Sequence, residues 1–387
     1  MKYLLAKNTV GPDDIDALCD WLKTYPKLTK GDLTIEMEKK WAGWVGRRYA
    51  VFCNSGSSAN LLAVYALKCS NRLKNNKAVV VSTGWVTTLA PFMQFGFDVH
   101  MCASDSDNFG VDLNHLNSLC EDKNPAVVIV VDPLGILVDK GKLLALQMKY
   151  GFYLIMDDCA ALGSKYSDGM KAGSVGDLST FSLFFAHQAS CGEGGLVFTD
   201  DRILYNILVS LRSHAWLRDM DEDIASGFVK LNNIDYFNQP FTFIYPGFNL
   251  RALDLQAFLG IRQIEKLDQF AEQRHKNHMR YAENLKNLFK IQKFNEGERI
   301  SSISFAILAA NTERRKDIVA NLLNNGIETR MYSAGALYKH QFFENVYGDS
   351  FHDPVSDRIH DTGLFLPNTQ EMTEEDVDYI CKVVKES

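Results

Sequence analysis

The chain has 387 residues, of which 46% are hydrophobic and 23% are charged, and its formal net charge at pH 7 is −7. This balance is typical of a globular protein with a large core, and the length predicts more than one domain. The sequence has no basic tract, which argues against a nucleic-acid partner. No run approaches the ~18 apolar residues of a membrane span, and the N-terminal apolar run is too short for a secretory signal. The eight cysteines form no C-x-x-C pair, so we expect reduced thiols in a cytoplasmic protein.

Between residues 49 and 200, short apolar runs that predict strands alternate with helical patterns. The predicted strands are 49–53, 78–81, 127–131 and 152–156. Because these runs are continuously apolar and are separated by helices, they predict an α/β fold with a mostly parallel sheet covered on both faces.

A helical pattern with many charges runs from Leu253 to about Lys286 and predicts a helix that links two domains. After it, a predicted strand at Ile303–Leu308 and further helical patterns indicate a small α+β domain. We therefore predict a large α/β domain with an N-terminal segment over residues 1–250. The linking helix and the small α+β domain are predicted over residues 251–387.

The first segment that suggests chemistry lies between a predicted strand and a predicted helix. Its small residues, Ser55, Gly56 and Ser57, would let the backbone approach an anion. The N–H groups at the start of the helix would then face that anion. The segment therefore predicts a phosphate site, although a serine that only caps the helix would show the same pattern.

The second segment follows a very apolar strand and begins Asp157-Asp158. A carboxylate at the carboxyl end of a parallel strand lies where such sheets bind ligands. In a pyridoxal enzyme, an aspartate here would keep the pyridine nitrogen protonated and make the ring an electron sink. A solvated loop acid or a helix cap is the alternative interpretation.

The third segment places Ser182 and His187 five residues apart at the end of an aromatic strand. A lone histidine among aromatic residues is commonly a core or loop residue. The glycine-rich turn at Gly192–Gly195 favours a functional role, because it allows close backbone packing beside the histidine. The least regular stretch, 212–245, is a candidate active-site or interface loop.

Together these segments resemble the DegT/DnrJ/EryC1/StrS sugar aminotransferases, a family of fold-type I enzymes that use pyridoxal phosphate. The resemblance spans nearly the whole chain and implies the aspartate aminotransferase-like fold. It is carried, in chain order, by Leu28–Gly31, Thr34–Glu38, Ser55–Ser57, Trp85, Asp157, Ser182–Gly195, Gly247–Arg251 and Gly326–Arg330.

The resemblance implies which residues of the chain bind the cofactor. Gly56, Ser57 and Ser182 match the residues that bind the cofactor phosphate, and Trp85 matches the aromatic residue that stacks on its ring. Asp157 matches the acid at the pyridine nitrogen, because its spacing to the glycine that ends the motif is that of the family.

The resemblance also implies contacts beyond the cofactor of one subunit. Asn249 matches a residue that reaches the cofactor phosphate of the neighbouring subunit, which implies a homodimer with shared active sites. Arg330 and Tyr332 lie in the small-domain segment that closes over the substrate in this fold, and they are candidate substrate residues. An alternative is that they lie at the surface or between the domains.

The chain departs from the aminotransferases at position 187. The family has the Schiff-base lysine there, and this chain has His187. Histidine cannot bond covalently to the cofactor, which would therefore be held non-covalently, with pyridoxamine phosphate as the resting reactant. An imidazole can still move a proton near neutral pH. This exchange is typical of the sugar 3-dehydratase branch of the family.

The branch implies a lyase reaction in deoxysugar and O-antigen lipopolysaccharide biosynthesis. A nucleotide-linked 4-keto-6-deoxyhexose would form a ketimine with pyridoxamine phosphate, and His187 as the base would lead to loss of the C3 hydroxyl. L-Glutamate would then restore pyridoxamine phosphate from pyridoxal 5'-phosphate.

Cysteine positions distinguish two kinds of 3-dehydratase. The kind acting on CDP-4-keto-6-deoxyglucose carries an iron–sulfur cluster, which needs four thiolates. Here Cys159 could match the first of them, but after Cys191 the next cysteine is Cys381, and the sequence contains no C-x-C. We therefore expect no cluster, and we favour GDP-4-keto-6-deoxymannose as the substrate, with the CDP-linked sugar as the alternative.

Two further alternatives remain open from the residues alone. One is an aminotransferase-like enzyme with a rearranged catalytic base, for which Lys165 and Lys171 are the nearest lysines. The other is a pseudoenzyme that binds the cofactor without catalysis, although keeping an acid for the pyridine nitrogen argues against it.

Overall fold

The computed structural model describes residues 1–387, which form thirteen α-helices and ten strands. The helices are α1 (Pro12–Leu22), α2 (Asp32–Val45), α3 (Gly56–Cys69), α4 (Val86–Gln94), α5 (Leu113–Lys123), α6 (Lys140–Tyr150), α7 (Arg202–Leu211), α8 (Glu222–Leu231), α9 (Asp254–Leu285), α10 (Thr312–Asn324), α11 (Gln341–Tyr347), α12 (Pro354–Thr362) and α13 (Glu374–Lys385). The strands are β1 (Tyr49–Cys53), β2 (Lys77–Val81), β3 (Asp98–Cys102), β4 (Val127–Val131), β5 (Tyr153–Asp157), β6 (Leu178–Ser182), β7 (Gly195–Thr199), β8 (Lys290–Ile291), β9 (Ser304–Leu308) and β10 (Gly363–Pro367). None of the helices is long and apolar enough to cross a membrane.

The larger sheet has seven strands in the order β1-β7-β6-β5-β4-β2-β3. Its pairs are parallel except those of β7, which runs antiparallel to both of its neighbours. This arrangement confirms the predicted α/β class with a mostly parallel sheet. The sequence pattern did not predict β3, in which the polar Asp98 is exposed and the polar His100 is half-buried. It also did not predict the reversed direction of β7.

Apolar cores lie on both faces of this sheet. Met37 and Trp41 of α2 are fully buried on one face, and Leu62 and Leu67 of α3 are fully buried on the other. Helices on both faces are the reason that the central strands are continuously apolar.

The helix α9 has 32 residues and leads to a three-stranded antiparallel sheet in the order β10-β9-β8. At 1.5 Å per residue it is about 48 Å long. Tyr3 packs in the core beside this smaller sheet, and the Lys2 amide donates to the Gly326 carbonyl. By these contacts the first residues belong with the C-terminal part of the chain. The division at residue 250 stays a prediction.

Candidate active site

A cavity of about 400 Å³ lies at the carboxyl ends of the central parallel strands. It is lined by residues of the large sheet, of the small α+β part and of the N-terminal segment. The predicted site residues in its wall are Gly56, Ser57, Trp85, Asp157, Ser182, His187, Arg330 and Tyr332. Asn249 does not line it, and neither does any lysine.

The start of α3 and the end of β6 form a narrow cradle at the bottom of the cavity. The Ser55 hydroxyl caps α3 by accepting the Ser58 amide at 3.1 Å. A Cβ on Gly56 would lie 2.6 Å from the Ser182 Cβ, so only glycine lets the backbone approach that serine. Free N–H groups of the helix and the Ser182 hydroxyl therefore converge on a space that fits a phosphate.

The glycine-rich turn after His187 packs against this same cradle. A Cβ on Gly195 would lie 2.1 Å from the Ser55 carbonyl oxygen, closer than any side chain allows. Gly195 therefore serves the close approach of β7 to the start of α3, rather than space beside the histidine.

Asp157 is fixed by three hydrogen bonds from the chain. Its Oδ2 accepts from Asn60 Nδ2 at 2.8 Å and from Thr88 Oγ1 at 2.6 Å, and its Oδ1 accepts from the Cys159 amide at 3.3 Å. Thr180 Oγ1 in turn donates to the side-chain oxygen Oδ1 of Asn60 at 2.7 Å. These bonds set the direction in which the carboxylate faces the cavity.

Sequence reasoning missed Asn60 and Thr88. Asn60 lies in α3, four residues after Gly56, and Thr88 lies in α4, three residues after its N-cap Trp85, so each shares a helix face with a predicted site residue. This helical spacing is the sequence feature from which the two residues could have been predicted.

Trp85 precedes α4 at the cavity mouth and is 49% exposed. The small α+β part contacts the turn that carries it, because the Ala334 amide and the Ser333 hydroxyl each donate to the Gly84 carbonyl at 3.0 Å. The Arg330 guanidinium carbon lies 5.9 Å from the centre of the Trp85 ring. The two parts of the molecule therefore meet at the tryptophan.

His187 lies in a tight turn after β6, where its amide donates to the Phe184 carbonyl at 3.0 Å. Burial lowers the pKa of the imidazole to about 4, and the nearby Asp157 carboxylate only partly opposes this shift. The ring is therefore neutral at pH 7, and its Nδ1 has no hydrogen-bond partner. The neighbouring Gln188 amide donates to the Ala160 carbonyl at 2.6 Å and to the Ser301 carbonyl at 2.8 Å, which fixes the turn.

Arg330 is the only lysine or arginine in the cavity wall. It forms no salt bridge, and burial lowers its pKa. Tyr332 also lines the cavity but is 1% exposed, and its hydroxyl lies 3.4 Å from the Gln292 amide nitrogen. Of these two, the arginine is the better placed to meet a ligand, since its guanidinium forms no salt bridge within the chain.

The exposed Asn249 lies outside the cavity, on a basic and aromatic patch with His214, Trp216, Arg218 and Arg251. Here His214 and Ala215 both have a φ of 61°, which non-glycine residues rarely adopt. None of these side chains lines the chain's own cavity.

The lysines considered as substitute bases lie elsewhere. Lys165 is 3.4 Å from Asp268, and Lys171 lies over the Trp44 ring at 4.0 Å. The eight cysteines are free thiols, and no three His, Cys, Asp or Glu side chains are grouped as metal ligands.

The model of the DegT/DnrJ/EryC1/StrS aminotransferase family matches residues 10–385. The chain belongs to that family. The family and branch expected from the sequence are thus confirmed, because 3-dehydratases are among the relatives that align with the chain over its length.

One such relative is the GDP-4-keto-6-deoxy-D-mannose 3-dehydratase of Yersinia pseudotuberculosis, 30% identical, with 100% of this chain and 98% of the relative covered. Another is the dTDP-4-dehydro-2,6-dideoxy-D-glucose 3-dehydratase of Saccharopolyspora spinosa, 28% identical, with 93% and 81% covered. Among solved structures, GDP-4-keto-6-deoxymannose-3-dehydratase with a trapped PLP–glutamate geminal diamine superposes with a TM-score of 0.89 at 26% identity, covering 99% of this chain and 100% of that one.

Proposed function

We propose that the chain is a pyridoxamine-phosphate-dependent 3-dehydratase of a nucleotide-linked 4-keto-6-deoxyhexose, in deoxysugar and O-antigen biosynthesis. GDP-4-keto-6-deoxymannose is the favoured substrate. The observation that carries the proposal is a cavity with a neutral histidine and a fixed carboxylate but no lysine in its wall. Relatives named for this reaction align over the full length of the chain.

The residues of the cavity fit the cofactor of the family. Gly56, Ser57 and Ser182 would bind the phosphate in the cradle that a Cβ would fill. Trp85 would contact the ring face, and Asp157 would pair with the pyridine nitrogen. When bound, the cofactor supplies an electron sink for breaking bonds at the attached sugar.

His187 would be the base of the reaction. Its imidazole is neutral because burial lowers its pKa to about 4, so a ring nitrogen can accept the proton that dehydration releases. Gln188 fixes the turn of the histidine through the Ala160 and Ser301 carbonyls. Since no lysine lines the cavity, the chain would retain the cofactor through hydrogen bonds and stacking alone.

Arg330 would bind the carboxylate of the amino donor, L-glutamate. A guanidinium without a partner matches a carboxylate through two parallel hydrogen bonds. One solved relative was trapped with PLP and glutamate, which supports this donor. Tyr332 stays a predicted substrate residue, through its ring rather than its buried hydroxyl.

The active enzyme would be a homodimer. Asn249 is exposed and lies outside its own cavity, together with the basic and aromatic patch around Trp216. A second copy that places this patch over the first copy's cavity would supply amide and cationic groups to an anionic ligand.

The direct test is turnover of GDP-4-keto-6-deoxymannose with pyridoxal phosphate and glutamate. We expect a 3-deoxy-4-keto sugar, ammonia and 2-oxoglutarate in equal amounts. Formation of a 4-amino sugar without ammonia would instead identify an aminotransferase. Parallel assays with CDP- and dTDP-linked 4-keto-6-deoxy sugars would identify the nucleotide.

A further inference from the structure

Two carboxyl groups lie buried directly behind the candidate cofactor site. Asp158 follows Asp157, and because successive side chains at the end of a strand point to opposite sides, it faces the core instead of the cavity. Asp132 follows β4, the neighbour of β5 in the sheet. Both side chains are almost completely inaccessible to solvent, at 1% and 0% exposure.

Each carboxyl group accepts one backbone hydrogen bond and has one oxygen left over. Asp158 Oδ2 accepts from the Gly173 amide at 2.7 Å, and Asp132 Oδ1 accepts from the Val138 amide at 2.8 Å. The remaining oxygens, Asp158 Oδ1 and Asp132 Oδ2, are buried without any donor. The two carboxyl groups are in hydrogen-bonding contact with each other, and the Tyr166 hydroxyl beside them also lacks a partner.

Two ionised carboxylates could not remain in this contact. The other acids facing the pair are Asp157 and Glu298, and Arg47, the cation acting on Asp158, pairs with Asp200. Lys140 lies over the Tyr166 ring and pairs with Asp168. Burial raises the pKa of both groups. The charge of Asp158 raises the pKa of Asp132 further, whereas the hydrogen bond from Asp132 partly opposes the rise at Asp158. A proton between the two free oxygens would give each of them a hydrogen-bond partner.

We propose that Asp132 and Asp158 share one proton, and that the resulting hydrogen bond positions two walls of the cavity against each other. Asp132 precedes Pro133 and Leu134, which line the cavity, and Asp158 lies between Asp157 and Cys159, which also line it. The two aspartates act as positioning residues. Their effect on cofactor binding rests on the proposed function, whereas the shared proton itself does not.

Amide substitutions test the shared proton through hydrogen-bond geometry. In Asp158→Asn the amide oxygen can accept from Gly173 while the amide nitrogen donates to Asp132, so the contact survives. Asp132→Asn preserves it in the same way through Val138. In the double variant both amide oxygens are occupied by the backbone, and two NH₂ groups face each other without an acceptor.

Urea unfolding of the cofactor-free protein should therefore be strongly non-additive. We expect each single variant to change the unfolding constant by less than about tenfold. The fold-change in the double variant should exceed the product of the two single-variant fold-changes by at least about a hundredfold. Pyridoxal phosphate titrated into the variants should bind at least about tenfold more weakly to the double variant only. Additive effects would show that the carboxyl groups do not share a proton, and failure of the double variant alone to fold would count as the expected non-additivity.

The pH dependence of stability provides the second measurement. Because the carboxyl pKa values are raised on folding, the native state binds more protons than the unfolded state above about pH 4, and stability is lost as pH rises. Between pH 5 and pH 8, each rise of one pH unit should therefore lower the folding constant of the wild type by about tenfold more than it lowers that of Asp158→Asn. Equal slopes would overturn the proposal. Neither measurement reads dehydratase activity, so a failed activity assay would leave this test unaffected.

Discussion

The two sides of the cavity differ in how their polar groups are satisfied. On the large-sheet side, the Asp157 carboxylate accepts hydrogen bonds from Asn60, Thr88 and Cys159, and the cradle begins at a capped helix. On the small-sheet side, Arg330 forms no salt bridge, although the charge of Glu328 partly opposes the lowering of its pKa by burial. Under the proposed function, the large-sheet side would hold the resident cofactor, and the charge of Arg330 would bind the exchanging substrates.

The two sides also rest on different kinds of structure. Asp157 and Ser182 end adjacent strands, where the position of a side chain is set by the sheet. Arg330 lies three residues before Ser333, whose φ is 47°. The loop around Ser333 contacts the end of β2 through backbone and hydroxyl hydrogen bonds with Gly84 and Ser82. Changes on the first side should alter cofactor binding or chemistry, and changes on the second should alter substrate binding.

The largest effect is expected for His187→Asn. The variant keeps a polar side chain of similar size but cannot accept a proton near neutral pH, so 3-deoxygenation should fall by about a thousandfold. Cofactor affinity should stay within about threefold, because the phosphate and ring contacts are unchanged. Stopped-flow turnover and absorbance titration measure the two quantities. Full activity in this variant would exclude His187 as the base.

His187→Lys tests the position of residue 187 relative to the cofactor. If position 187 faces the cofactor, the introduced side chain should bond covalently to pyridoxal phosphate, which borohydride reduction and mass spectrometry would detect at residue 187. The wild-type chain should give no such adduct, since no lysine lines its cavity. An adduct at Lys165 in the wild type would restore the rearranged-base alternative.

Much of the cavity was predictable because its residues occur in ordered motifs at strand ends. The predicted Gly56, Trp85, Asp157 and Ser182 all line one cavity, although their roles stay predictions. The strands β1, β2, β4 and β5 of the central sheet were predictable for a related reason, since burial on both faces makes them continuously apolar. The direction of β7 was not, because its apolar pattern is the same in either direction.

Other features depend on contacts between distant parts of the chain. Thr88 in α4 looks like an ordinary helix residue until the fold brings its hydroxyl to 2.6 Å from Asp157. Asp132 and Asp158 are 26 positions apart, and only the pairing of β4 with β5 places them in contact. Local patterns carry no information about such pairs.

An intermediate effect is expected for Gly56→Ala on the fixed side. The new Cβ would meet the Ser182 Cβ at 2.6 Å, and the cradle would have to open. Strain of this kind costs about 1–3 kcal/mol, so the Kd for pyridoxal phosphate should rise about tenfold to a hundredfold. Gly43→Ala in α2 is the matched control, because nothing lies within 4 Å of its Cβ position. Unchanged affinity in Gly56→Ala would place the phosphate elsewhere.

The smallest effect is expected for Arg330→Lys on the free side. Lysine keeps the positive charge but loses the paired hydrogen bonds to a carboxylate, so the KM for glutamate should rise about tenfold, with kcat and cofactor affinity nearly unchanged. Arg358→Lys, on the exposed side of α12, is the control and should leave the KM as it is. A rise confined to the KM of the sugar nucleotide would reassign Arg330 from the amino donor to the diphosphate. Both sides of the cavity would then bind the sugar nucleotide. The two sides would no longer differ as a cofactor side and an amino-donor side, but would each hold an anion site.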